Sequence, residues 1–154
     1  MRNHQEAGTR RNFLRISLAV IAAPCAPLLN GCASLLTRTV TPENGTLRLA
    51  LNQYPELARR DGLIRVLPAG AADPIYIIVK EEGQFSAVSS VCTHLECTIE
   101  PGGSGANMRL ECPCHGSMFD REGQVLRGPA ERPLARFRTE LTGGVVVVHL
   151  GGSQ

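Results

Sequence analysis

Four cysteines and two histidines crowd into two short stretches, "CTHLEC" (Cys92 to Cys97) and "CPCHGS" (Cys112 to Ser117). Thiolate sulfur and imidazole nitrogen are the donors that proteins offer to zinc and to iron–sulfur clusters. The spacings Cys92-x-His94 and Cys112-x-x-His115 take one thiol and one imidazole from each stretch. Six candidate ligands exceed what one ordinary metal site uses, so some of them serve another purpose. Four cysteines in an exported domain form two disulfides, hold a metal, or divide between the two tasks. Nothing else in the chain pairs a nucleophile with a base, and no pair of catalytic carboxylates stands out. His149 reads as a surface or packing residue, and Tyr54 and Tyr76 as core or rim.

The N-terminal stretch decides the compartment and removes two further cysteines from consideration. "TRRNFLR" (Thr9 to Arg15) precedes the apolar run "ISLAVIAAPCAPLL", 14 residues interrupted by Pro24 and Pro27. A basic segment before a short apolar one is a targeting signal. A membrane-spanning helix needs about 20 apolar residues, so this run is too short and too broken for one. Arg10-Arg11 followed by Phe13 and Leu14 resembles the twin-arginine export signal of bacteria. "LLNGC" (Leu28 to Cys32) resembles a lipoprotein cleavage box, with Leu at −3, Gly at −1 and Cys32 at +1. The expectation is a signal over 1–31, lipid on Cys32, a tether over 32–45 and a domain over 46–154. Cys25 is then lost with the signal.

The 154 residues suit a single domain of ordinary size, and 43% hydrophobic residues suffice for a core. With 4% aromatics and no Trp, that core is mostly aliphatic. The formal charge of +2 misleads, because residues 1–31 alone carry Arg2, Arg10, Arg11 and Arg15 against Glu6. The remainder is nearly neutral, with Lys80 as its sole lysine, so it lacks the clustered cations of a nucleic-acid partner.

The elements that must position the two stretches read as strands. "TLRLAL" alternates apolar and polar residues, and "LIRVL", "PIYIIVK" and "QFSAVSSV" follow between turn signals such as "RRDG" and "PAGAADP". "NMRLE" and "GQVL" surround the second cysteine stretch. "RFRTEL" and "VVVVHL" flank "TGG" and predict a closing hairpin. Only "YPELARRDG" hints at a helical turn. The mature chain is expected to be a small all-β antiparallel barrel or sandwich.

"CTHLEC" and "CPCHGS" resemble the two cluster-binding loops of Rieske iron–sulfur proteins. "GPAERPL" (Gly128 to Leu134) resembles the proline-containing loop that shields the cluster in that family. The likeness runs from about Thr46 to Leu150. It implies a Rieske-type β-sandwich or barrel with an inserted cluster-binding subdomain, and one [2Fe-2S] cluster per chain. In a Rieske centre two thiolates hold one iron and two imidazoles the other. Carried over to this chain, Cys92 and Cys112 bind the inner iron and His94 and His115 the outer one. Cys97 and Cys114 resemble the disulfide that ties the loops together in the quinol-oxidising branch. Ser117, Leu95, Gly128 and Pro129 fall where the family shields and tunes its cluster.

Two positions depart from that pattern. The high-potential branch often reads Ser-x-Tyr after the second His, whereas Ser117 is followed here by Phe119. Loss of one donor worth about 1 kcal/mol corresponds to roughly 40 mV in a one-electron couple. Glu96 stands where the family commonly has Gly, which questions the usual turn, since Gly permits backbone angles that Glu resists.

The resemblance implies an exported, membrane-tethered one-electron carrier with no catalytic site of its own. Its partners are then a redox protein or a quinol, and a membrane reached through the N-terminal lipid. The alternative is the iron–sulfur subunit of a larger oxidoreductase, either a quinol–cytochrome c oxidoreductase or a molybdenum oxidase of the arsenite-oxidase type. A redox-silent Cys2His2 zinc module would use the same four ligands, but it needs neither the extra cysteine pair nor a shielding loop.

Overall fold

The computed structural model describes residues 35–81 and 83–152. The expected export signal and Cys32 lie outside the described residues. Among the described residues eleven strands form two sheets. In chain order they are β1 (Thr37–Val40), β2 (Thr46–Ala50), β3 (Leu63–Pro68), β4 (Ile75–Glu81), β5 (Gln84–Ser89), β6 (Glu100–Gly102), β7 (Arg109–Glu111), β8 (Met118–Phe119), β9 (Val125–Arg127), β10 (Arg136–Thr142) and β11 (Val145–His149). The seven-stranded sheet has the order β1-β3-β4-β5-β10-β11-β2, and the four-stranded sheet has the order β6-β7-β8-β9. The fold is the expected all-β one. Among the described residues no helix is long and apolar enough to cross a membrane.

Strand β4 is the spine of the molecule. Its run "IYIIV" is buried at five successive positions, because both faces of the strand are covered. Ile75, Ile77 and Val79 join Leu47, Leu49, Ile64, Val66, Val146 and Val148 in one core. Tyr76 and Ile78 point the other way, into a second core with Val88, Cys92, Ile99, Leu110, Cys112, Phe119 and Leu134. The period-2 alternation of one strand thus feeds two cores.

The four-stranded sheet is an insertion. β5 and β10 are neighbours, with Val88 opposite Arg136 and Ala87 opposite Phe137. The chain leaves the large sheet after Ser89, builds β6 to β9, and returns at Arg136. The closing hairpin forms as expected: β10 and β11 pair from Thr142↔Val145 to Arg138↔His149. Its turn, Gly143-Gly144, takes left-handed φ at both residues (57° and 75°), the geometry that matches strand twist in a two-residue hairpin.

The structure corrects two expectations and refines a third. The tether over 32–45 includes strand β1, which pairs with β3 from Thr37↔Arg65 to Val40↔Pro68 and packs Val40 on the first core. Only Val40 is apolar in "TRTV", so alternation was not visible there. The β1–β3 pair is parallel, whereas an antiparallel scaffold was expected throughout. The helical hint in "YPELARRDG" resolves to a single 3-10 turn over Pro55–Ala58. His149 is held by Arg138 and Glu140 across the hairpin, a surface role as expected.

Tyr76 joins the insertion to the large sheet. Its hydroxyl is buried and donates to the Ile99 carbonyl at 2.7 Å, just ahead of β6. Arg65 on β3 donates to the Tyr76 hydroxyl oxygen through Nε (3.1 Å) and Nη2 (2.6 Å), and also pairs with Glu100. Burial raises the Tyr76 phenol above its ordinary pKa, although Arg65 opposes the shift, so the phenol stays neutral and keeps its proton for Ile99. Tyr76→Phe leaves the buried Ile99 carbonyl without its donor and takes from Arg65 one of its two partners. It is expected to destabilise the fold by about 1–3 kcal/mol, read as a lower denaturation midpoint with an unchanged slope.

Candidate metal centre

Each cysteine stretch is a six-residue loop closed by the same two backbone hydrogen bonds. In the first, the Cys92 N–H donates to the Cys97 carbonyl (2.9 Å) and the Glu96 N–H to the Cys92 carbonyl (2.9 Å). In the second, the Cys112 N–H donates to the Ser117 carbonyl (2.8 Å) and the Gly116 N–H to the Cys112 carbonyl (2.9 Å). In both, the fifth residue turns left-handed: Glu96 at φ 58° and Gly116 at φ 75°. The doubt raised by Glu96 is therefore answered. The turn forms, and Glu96 adopts an angle that costs a non-glycine residue about 1–2 kcal/mol.

The disulfide Cys97–Cys114 joins the loops across a sequence separation of 17. By chain-entropy arguments a closure of this length contributes roughly 3 kcal/mol. Cys92 and Cys112 remain free thiols, with exposures of 0% and 2%, inside the second core. His94 is half-buried and His115 is exposed, and their rings meet edge to face with centroids 4.8 Å apart. The donor set is thus graded, with thiols inward and imidazoles toward solvent.

The environment of these side chains fits a metal centre. His94 Nδ1 is buried and has no hydrogen-bond partner. A buried, unsatisfied ring nitrogen is costly unless something accepts its lone pair or its proton. Burial pushes the Cys92 thiol up, and neighbouring Cys112 adds to the rise. The nearby His94 backbone N–H and Ser117 hydroxyl oppose it. Donors aimed at a sulfur favour its anionic form, the form that binds metal. The sulfurs of Cys97, Cys112 and Cys114 also cluster within 4.8 Å, but two of those three are bonded to each other and are unavailable as ligands.

The third loop, Gly128–Leu134, is tied to both cysteine loops. The Ala130 N–H donates to Ser117 Oγ (3.0 Å), and Thr93 Oγ1 donates to the Arg132 carbonyl (2.6 Å). Ser117 is fully buried, its Oγ accepts from the Ala130 N–H, and its hydroxyl lies near Cys92. The Gly128–Pro129 peptide is cis, and both residues are exposed. Leu95 is 61% exposed beside His94. Phe119 is fully buried and packs with the cysteines.

Sequence reading missed two supports. Arg127 donates through Nε (3.0 Å) and Nη2 (2.9 Å) to the Gly116 carbonyl, bracing the second loop from β9. Thr93 lies inside the quoted "CTHLEC", yet its bond to Arg132 spans 39 residues and has no local sign.

A family model described as the Rieske [2Fe-2S] domain matches residues 58–138. The chain is 48% identical over 73 residues to the cytochrome b6-f complex iron-sulfur subunit 1 of Synechocystis, covering 46% of this chain and 40% of that protein. It is 44% identical over 78 residues to the cytochrome b6-f complex iron-sulfur subunit of Prochlorococcus marinus, covering 49% and 43% respectively. It therefore spans less than half the length of these relatives. Among solved structures, a chain from the complex of reduced oxygenase and oxidized ferredoxin in carbazole 1,9a-dioxygenase superposes with a TM-score of 0.57 at 26% identity. That match covers 73% of this chain and 99% of the other.

Glu96→Gly should release the left-handed strain and raise stability by about 1 kcal/mol, the usual preference for glycine at such an angle. Glu96→Ala, which removes the charge but keeps the Cβ, should leave the denaturation midpoint nearly unchanged. Equal gains from both would assign the effect to charge.

Proposed function

Because this chain belongs to the Rieske [2Fe-2S] domain family, we propose that Cys92, Cys112, His94 and His115 hold its cluster and that it serves as an extracytoplasmic, membrane-tethered one-electron carrier. The protein is a Rieske iron–sulfur electron-transfer protein, and its cofactor is one [2Fe-2S] cluster. When bound, such a cluster supplies a one-electron couple whose potential is raised by the replacement of two thiolates with imidazoles. The observations that carry the ligand assignment are two buried free thiols, a buried, unpartnered His94 nitrogen and the His94–His115 ring contact, all on two stapled loops.

The residues around the site divide the work. The apolar core keeps water from the Cys92 and Cys112 sulfurs. The exposed His115 and half-buried His94 leave one edge of the centre within reach of a partner. Leu95, Gly128 and Pro129 give that edge an exposed, largely uncharged surface. The staple holds the two loops in register, and the Ser117 hydroxyl stabilises negative charge on the Cys92 sulfur.

The expected twin-arginine signal and the lipid on Cys32 support the extracytoplasmic, tethered part of this reading. A second reading makes the protein a subunit of a larger oxidoreductase, of the quinol–cytochrome c or the arsenite-oxidase kind. The two b6-f relatives favour the first of these. The Cys97–Cys114 staple argues against a ring-hydroxylating oxygenase component, a branch that usually lacks it.

The purified protein is expected to contain two irons and two labile sulfides per chain, as a [2Fe-2S] centre requires. Its reduced form should give the low-average-g EPR signal of mixed His/Cys ligation, and His94→Ala or His115→Cys should abolish or reshape that signal. Stoichiometric zinc without sulfide would remove the assignment. In the same preparations the wild type should partition with membranes and Cys32→Ala should not. An unmodified mature N-terminus elsewhere would refute the tether.

Ser117→Ala should lower the midpoint potential by about 40 mV for a lost donor of about 1 kcal/mol. Redox titration against the wild type checks this. An unchanged potential would show that the Ser117 hydroxyl does not act on the centre.

A further inference from the structure

Cys112 faces more than its expected metal. Its sulfur and both disulfide sulfurs, those of Cys97 and Cys114, all lie within 4.8 Å of one another. Cys112 is a free thiol, buried with 2% exposure. A free thiol beside a disulfide is the arrangement for thiol–disulfide exchange, which proceeds by attack of one sulfur on another. The other free thiol, Cys92, is not part of this trio.

We infer that, whenever the cluster is absent, Cys112 attacks the Cys97–Cys114 disulfide and converts the chain to an isomer linked through Cys97 and Cys112. The bond from Cys112 Sγ to Cys97 Sγ forms as the Cys97–Cys114 bond breaks. The electron pair of the broken bond leaves on Cys114 Sγ, which takes up the proton that Cys112 gives away. No oxidant or reductant is consumed, because one disulfide and two thiols become one disulfide and two thiols.

The choice of sulfur follows from exposure and from Pro113. Cys114 is exposed and Cys97 only half-buried, so the leaving sulfur is better solvated at Cys114. A Cys112–Cys114 bond would have to close over Pro113 alone, whose φ is fixed. A Cys97–Cys112 bond keeps the two loops joined. The consequence rests on the proposed ligand set: the isomer has lost Cys112 as a ligand and cannot accept a cluster. Metal occupancy and disulfide pairing then form a switch, in which the cluster guards the staple and the swapped staple blocks the cluster.

The test uses the full chain. Protein carrying its cluster is stripped anaerobically with an iron chelator and no added thiol, labelled under native conditions with a small alkylating reagent, and mapped by peptide mass spectrometry. In the loaded protein Cys114 should stay unlabelled and linked to Cys97. After stripping, Cys114 labelling should rise from background to most of the chains, and a Cys97–Cys112 linked peptide should replace the Cys97–Cys114 one. Cys112→Ser should abolish Cys114 labelling, while Cys92→Ser, equally unable to form the normal centre, should retain it. Persistence of the Cys97–Cys114 link in stripped protein would overturn the inference, as would a Cys92–Cys112 disulfide with the original staple intact. Iron and sulfide content before stripping reads the ligand assignment separately, and the sulfur map of Cys92→Ser judges the exchange even if that assignment fails.

Discussion

Side chains from distant parts of a chain share one centre only if the backbones that carry them are held still against each other. Here that rigidity is local before it is tertiary. Each loop satisfies its own backbone groups with one N–H bond across its ends and one back to its first carbonyl. Short loops closed in this way need no strand ladder to define them, and buried backbone groups left unpaired would be costly. The disulfide then fixes one self-contained loop against the other.

The rest of the fold acts as a mount for that pair. The insertion leaves and re-enters the large sheet between adjacent strands, so its two ends are anchored by the β5–β10 pairing. Tyr76 reaches out of the buried face of β4 to hold Ile99, and Arg65 and Glu100 close the same link from the side. A second tie runs from Arg121 to Asp61 at 2.7 Å and to the Gly105 carbonyl. Arg121 is largely buried, with a side-chain exposure of 14%, so its ion pair is screened less than a surface one. These contacts couple stability of the large sheet to the placement of the two cysteine loops.

What was legible in the sequence was whatever local pattern or local chemistry dictates. Alternation marked β2, short runs between turn signals marked β3, β4 and β5, and the segments flanking "TGG" marked the closing hairpin. The cysteine and histidine spacings marked the ligand loops. The disulfide pairing came only through family resemblance, since four cysteines alone leave the connectivity open. β1 was hidden because one valine among four residues carries no periodic signal. β6 and β8 were hidden because strands of three and two residues are defined by their neighbours rather than by themselves. Long-range supports such as Arg127 on Gly116 and Thr93 on Arg132 depend on which loops meet, and no residue type announces that.

The two loops share one backbone frame but do not spend its positions alike. Counting from the first cysteine, the third position carries His94 in one loop and the staple cysteine Cys114 in the other, while the fourth carries Leu95 in one and His115 in the other. The fifth position, left-handed in both, is Glu96 in one and Gly116 in the other. At Gly116 an added Cβ would sit 3.4 Å from Arg127 Nη2, an ordinary contact with the end of a flexible side chain, so glycine there serves the angle. At Glu96 the side chain is exposed, so the only penalty is the angle itself. The frame therefore asks for the same left-handed angle at both fifth positions; glycine meets it without strain in the second loop, and Glu96 bears that strain in the first.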